Sequence, residues 1–178
     1  SALIMGFGRI GQRVGALCRA LGLRVAAFDP YMERSPVEGV EMVKDFRAIL
    51  PETDFLCLHL PSTPETRDLI GAGELALLKR GAFVLNCARG GIVDEDVLCD
   101  ALESGHLGGA GLDVFAKEPP DTAHRLFRQE KVLLSPHNAA LTEECAIRMA
   151  TQAVQNVLDC LDGCLLYTSD AADELDGV

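Results

Sequence analysis

A glycine block set between two short apolar runs constrains this chain more than any other feature. Ala2-Leu3-Ile4-Met5 is apolar, and Gly6-Phe7-Gly8-Arg9-Ile10-Gly11 follows at once. An amphipathic segment then runs from Arg13 to Leu21, and a second apolar run, Val25-Ala26-Ala27-Phe28, ends in Asp29. That order predicts strand, tight turn, helix, strand, acid. Each part has a use if the chain holds a dinucleotide. Gly6 permits the turn, Gly8 lets backbone N–H groups approach a pyrophosphate, and Gly11 lets the helix pack closely on the strand. The helix start offers unpaired N–H donors and the positive end of its dipole to phosphate. Asp29 follows Gly11 by 18 residues, close to the spacing expected of a carboxylate that accepts from ribose hydroxyls. Pro30, directly after it, ends the second strand and is grouped with the same contacts.

The remaining chain repeats the alternation. Glu41-Met42-Val43 predicts a short third strand, and Asp45 a cap for a short helix through Phe46, Ile49 and Leu50 that Pro51 stops. Phe55 to Leu60, closed by Pro61, predicts a central strand covered on both faces. Gly73 to Leu78 predicts a helix, Phe83 to Asn86 a strand, and Asp94 to Ser104 a helix that Gly105 stops. Gly109 to Leu112 and Val132 to Leu134 predict two more strands, and Thr142 to Leu161 the longest helix. Strands this far apart cannot pair as hairpins. The fold class is therefore α/β, a doubly wound parallel sheet of Rossmann type, whose ligands bind beyond the carboxyl ends of the strands.

Composition bounds the partners. Asp and Glu outnumber Lys and Arg 27 to 16, and a net charge of −11 opposes nucleic acid and anionic membrane surfaces. Neither a membrane partner nor a secretory leader is expected, and the assignment is cytoplasmic. The seven cysteines include no CxxC pair, which fits buried free thiols in a reducing compartment. Both ends read as cut. Residues 1–162 form the nucleotide-binding domain, whereas 163–178, with Leu166-Tyr167-Thr168-Ser169-Asp170, resembles a translated sequencing adaptor and is set aside.

Chemistry is expected at the strand ends. Asn86-Cys87-Ala88-Arg89 follows one strand, Asp113-Val114-Phe115-Ala116-Lys117-Glu118 another, and Ser135-Pro136-His137 the last. A guanidinium can hold a carboxylate bidentately and polarise the carbonyl beside it. An imidazole exchanges a proton with a hydroxyl near neutral pH, and a carboxylate at its other nitrogen fixes the tautomer. With a nicotinamide present, Arg89, Glu118 and His137 suit interconversion of 2-hydroxy and 2-keto acids.

The sequence closely resembles the D-isomer-specific 2-hydroxyacid dehydrogenase family, from Ala2 to about Asp162. GFGRIG with FDPY downstream, LHLPSTPETRDLI, NCARGGIVDEDVL, GAGLDVFAKEPP and LSPHNAA carry the resemblance in order and spacing. It implies that Arg89 binds and polarises substrate, that His137 is the acid/base and that Glu118 is its partner. It also implies NAD as cofactor, with Gly8, Arg9 and Ile10 at the pyrophosphate and Asp29 at the adenosine ribose. Pro61 and Thr66 would line the nucleotide cleft, and Cys87, Ala88, Asp113 and His137 would lie near the nicotinamide. The family's dimerisation through this domain implies a homodimer. The phosphoglycerate dehydrogenase branch is the nearest match, with hydroxypyruvate or glyoxylate reductase and an NAD-sensing corepressor as alternatives. The family's substrate-binding lobe is missing from the chain, so cofactor binding without useful turnover is expected. His59 reads as a core residue, and His106 and His124 lack metal-ligand spacing, so no metal site is expected. Cys87 lacks the base that a nucleophile needs.

Overall fold

The computed structural model describes residues 1–164, so most of the segment set aside above lies outside the described residues. Seven parallel strands form one sheet in the order β3-β2-β1-β4-β5-β6-β7. They are β1 (Ala2–Met5), β2 (Val25–Phe28), β3 (Val40–Met42), β4 (Phe55–Leu58), β5 (Phe83–Asn86), β6 (Gly109–Leu112) and β7 (Val132–Leu134). The helices are α1 (Arg9–Ala20), α2 (Ala72–Leu77), α3 (Glu95–Glu103) and α4 (Glu143–Leu161). The strand order reverses between β1 and β4, and the crevice at that switch point is where such a sheet takes its ligand.

The four residues of β1 are all buried because both of its faces are covered. Leu3 and Met5 join the larger core with Leu56, Leu58, Val84 and Leu98. Ala2 and Ile4 join the smaller one with Phe7, Val25, Ala27 and Cys57, against which Val14 and Cys18 of α1 pack. Alternation along a strand sends successive side chains to opposite faces, so a continuous apolar run is what a central strand requires.

Three expectations need correction. The third strand begins one residue earlier than predicted, at Val40. No α-helix follows Asp45: its carboxylate accepts the Arg47 N–H two residues on, a turn rather than a cap. A short 3-10 helix, Leu50–Glu52, then includes Pro51, whose fixed φ suits the first turn of a helix. Finally, β4 is not covered on both faces throughout, since Phe55 stacks on Phe83 of β5 with the rings 5.6 Å apart and stays exposed.

Contacts divide the chain into two compact units, the first Ser1–Ser135 and the second beginning at Pro136. In the second unit, Thr142 caps α4 by accepting the Cys145 N–H, with Glu143 and Glu144 at the positive end of the helix dipole. No described helix is long and apolar enough to cross a membrane.

All seven cysteines are free thiols. Burial pushes the Cys57 thiol up to about 12 and the Cys99 thiol up to about 11. An unfolded thiol ionises near about 8.5, so above that pH the unfolded chain sheds protons that the folded chain retains. Stability is therefore expected to fall as pH rises through this range, by on the order of 1–2 kcal/mol at about pH 10 for Cys57, the more deeply buried of the two, and by less for Cys99. Urea denaturation at about pH 8 and about pH 10 checks this, and Cys57→Ala should reduce the loss.

Candidate functional site

The predicted cofactor residues Gly6 to Gly11 form the link from β1 into α1. Gly6 takes φ +85°, and a side chain there would bring its Cβ within 2.4 Å of the His59 carbonyl oxygen, so only glycine fits between β1 and β4. Gly8 is the N-cap of α1, with extended backbone and no side chain of its own to accept from the first turn of the helix. Around Gly8 the space is open: apart from its chain neighbours, no described residue comes within 4 Å of where a Cβ would lie. The helix starts at Arg9, earlier than the predicted Arg13, so Gly11 is already helical. Its Cβ position lies 2.1 Å from the Gly6 carbonyl oxygen, which explains the close packing.

Asp29 at the end of β2 is fixed at both carboxylate oxygens. Oδ2 accepts the Phe7 N–H at 2.8 Å and Oδ1 accepts the Tyr31 N–H at 2.9 Å. The carboxylate is thus tied to the glycine turn itself, with lone pairs left over for a ribose diol. Pro30 follows in the same turn. Beyond β4, the Thr66 hydroxyl donates to the Pro61 carbonyl at 2.7 Å and accepts the Thr63 N–H at 2.8 Å. Both predicted cleft residues therefore belong to one braced loop.

Past β5, Asn86 is 3% exposed and spends its whole carboxamide on the next turn. Its Nδ2 donates to the Arg89 carbonyl at 2.9 Å and its Oδ1 accepts the Ala88 N–H at 3.1 Å. Arg89 Nη1 donates to the Ala88 carbonyl at 2.7 Å, whereas Nη2 is buried with no hydrogen-bond partner among the described residues. A buried guanidinium nitrogen without an acceptor is costly unless an anion completes it. Cys87 is exposed, and its thiol is pushed up by desolvation and by the Asp113 carboxylate, which keeps it protonated. A protonated thiol is a poor nucleophile.

After β6, Asp113 is 2% exposed and accepts from the Ser135 hydroxyl at 2.5 Å, tying the ends of β6 and β7. Glu118 Oε1 accepts the Phe115 N–H at 3.0 Å. The Glu118 loop meets the Arg89 loop directly: a Cβ at Gly90 would fall 1.8 Å from the Phe115 carbonyl oxygen. Glu95, first residue of α3, accepts the Ala116 N–H at 2.6 Å and pins the same loop. His137 belongs to the second unit, where it adopts φ 53°. The structure thus joins Gly6 to Gly11 with Asp29, and the turn of Arg89 with the loop of Glu118, inside the first unit.

Of the remaining histidines, His59 is half-buried with an unpartnered Nε2, and burial lowers its pKa, so the ring is neutral. His124 Nδ1 accepts the Leu126 N–H at 3.3 Å. Among the described residues no group of three or more His, Cys, Asp or Glu is placed to hold a metal. The bracing roles of Asn86, Gly90, Glu95 and Ser135, residues that lie within the sequence motifs, emerge only in the fold. A buried-type polar residue closing an apolar strand was the available signal for Asn86.

A parallel sheet reversing at β1/β4, a helix that opens on a glycine N-cap and a carboxylate anchored to the glycine turn define a Rossmann-type dinucleotide-binding domain. The chain belongs to the D-isomer specific 2-hydroxyacid dehydrogenase family, whose NAD binding domain model matches residues 1–139. It is 41% identical over 162 residues to D-3-phosphoglycerate dehydrogenase of Synechocystis sp., covering 90% of this chain and 29% of that protein. The Mycobacterium leprae D-3-phosphoglycerate dehydrogenase is 44% identical, with 90% of this chain and 30% of that protein covered. The NAD-complexed D-isomer specific 2-hydroxyacid dehydrogenase of Lactobacillus delbrueckii ssp. bulgaricus superposes with a TM-score of 0.85 at 30% identity, over 93% of this chain and 54% of that one. The chain thus spans about a third of the length of the curated relatives it matches.

Proposed function

We propose that this chain is the cofactor domain of an NAD-dependent dehydrogenase of small D-2-hydroxy acids, of the phosphoglycerate dehydrogenase branch. The observation that carries this is the buried, unpartnered Nη2 of Arg89, held at a strand end in the same domain as the anchored Asp29. The site's residues suit a dinucleotide: an open Gly8 at the N-cap of α1 and a fixed carboxylate. Bound NAD supplies hydride exchange with the substrate carbon. Arg89 would hold the substrate carboxylate, His137 would pass the hydroxyl proton, and Glu118 would orient His137. Arg9 and Ile10 would face the pyrophosphate, with Pro61 and Thr66 in the cleft and Cys87, Ala88 and Asp113 beside the nicotinamide. Function as a homodimer in the cytoplasm completes the proposal.

Two measurements test it. The chain should bind NADH at least about tenfold more tightly than NADPH, because the Asp29 carboxylate repels a 2′-phosphate. Asp29→Ala should narrow that ratio. Equal binding of both cofactors, with the ratio unmoved by the substitution, would sink the assignment of Asp29. For the reaction, the enzyme that contains this domain should reduce NAD with D-3-phosphoglycerate, and Arg89→Ala should abolish turnover while NADH still binds. Turnover that survives the loss of Arg89 would remove it from the mechanism.

A further inference from the structure

The geometry points to Gln12 as the residue that aims the Gly8 N–H at the cofactor's pyrophosphate, an inference that rests on the reading of the glycine turn given above. Gln12, in the first turn of α1, is half-buried, and its Nε2 donates to the Phe7 carbonyl oxygen at 2.9 Å. That carbonyl and the Gly8 N–H belong to the same planar, trans peptide, in which C=O and N–H point in opposite directions. Holding the oxygen therefore fixes where the N–H points.

The rest of Phe7 is already immobile. Its N–H is spent on Asp29 Oδ2 at 2.8 Å, and its ring is fully buried under Gly15, whose Cβ position lies 3.0 Å from it. The peptide joining Phe7 to Gly8 is the one soft element left in the turn. Gly8 makes its rotation easy, because glycine has no Cβ to resist a change of φ and no described residue beyond its chain neighbours lies within 4 Å of its Cβ position. The freedom that lets phosphate come close would also let the donor swing away. Gln12 removes that freedom from the helix side, without itself having to touch the cofactor. It is a positioning residue, and a pre-aimed donor loses less on binding than one that must be ordered.

The test separates ligands that carry a pyrophosphate from one that does not. NADH, ADP and adenosine are titrated into the native chain, Gln12→Met, Gly8→Ala and the double variant, by calorimetry for the nucleotides and by NMR for adenosine. Methionine keeps the length of glutamine and removes the donor. The expected result is a loss of about tenfold in NADH and ADP affinity for Gln12→Met, with adenosine affinity unchanged. In the Gly8→Ala background the same substitution should have little further effect, because the approach is already blocked. An equal loss for adenosine would show that Gln12 merely supports the fold, and no loss for any ligand would show that the peptide is aimed without it. Either result overturns the inference alone. Native-like ADP affinity in Gly8→Ala, or no nucleotide binding by the native chain, overturns the reading of the turn and this inference with it.

Discussion

Replacing Gly8 by alanine is expected to leave the fold intact and to cost the chain at least about 100-fold in NADH affinity, roughly 2.7 kcal/mol. The two halves of this expectation have separate causes. In the protein alone, the new methyl group meets no described residue within 4 Å beyond its chain neighbours, and Gly8 has φ −70°, a value any residue adopts. Exchanging glycine for alanine at a helix cap costs no more than about 1 kcal/mol. The methyl group is added at the N-cap of α1 itself, where a phosphate must come close to reach the backbone donors. Calorimetric titration with NADH measures the loss, and suits a chain without tryptophan. Urea denaturation measures the stability. Affinity within about threefold of the native value would show that the pyrophosphate does not approach this face of the turn.

Gly11→Ala should do the reverse, damaging the fold first and losing binding as a consequence. Its Cβ would lie 2.1 Å from the Gly6 carbonyl oxygen and 3.3 Å from Ile4 Cγ2. Neither neighbour can yield. Gly6 is held at φ +85° against the His59 carbonyl, and Ile4 is fully buried in the centre of the sheet. Helix α1 must lift from β1, which opens the smaller core around Phe7, Val25 and Ala27. A cost of about 3 kcal/mol is expected, at the upper end for overpacking. Chemical denaturation read by circular dichroism checks it. A variant as stable as the native chain would mean that helix and turn are looser than their geometry shows.

These two glycines stand three residues apart in one motif, and the sequence named both without telling their roles apart in energy. The motif carries the pattern, whereas the distance from each Cβ position to the nearest backbone of β4 or of the turn decides which substitution the fold tolerates. The same division holds elsewhere. The cap of α4 by Thr142 was legible because it acts within one turn of its own helix, and so was the stop at Gly105, which takes φ 69°. The helix expected after Asp45 was misread because Asp, an apolar pair and a later Pro suit a turn followed by a 3-10 helix equally well.

Local order along the chain determined the strands, the glycine turn, the acid after β2 and hence the class of fold, since each depends on neighbours within a few residues. The motifs at the strand ends also put Arg89 in the turn after β5 and Glu118 in the loop after β6. Only the tertiary structure decided what holds them. Asn86 braces Arg89 from a buried strand end, Gly90 lies against Phe115, and Glu95 reaches Ala116 from α3. Such partners come from different elements of the sheet. A hydrogen bond or a van der Waals contact between distant residues follows from where the packed strands bring their loops, and no spacing in the sequence encodes that distance.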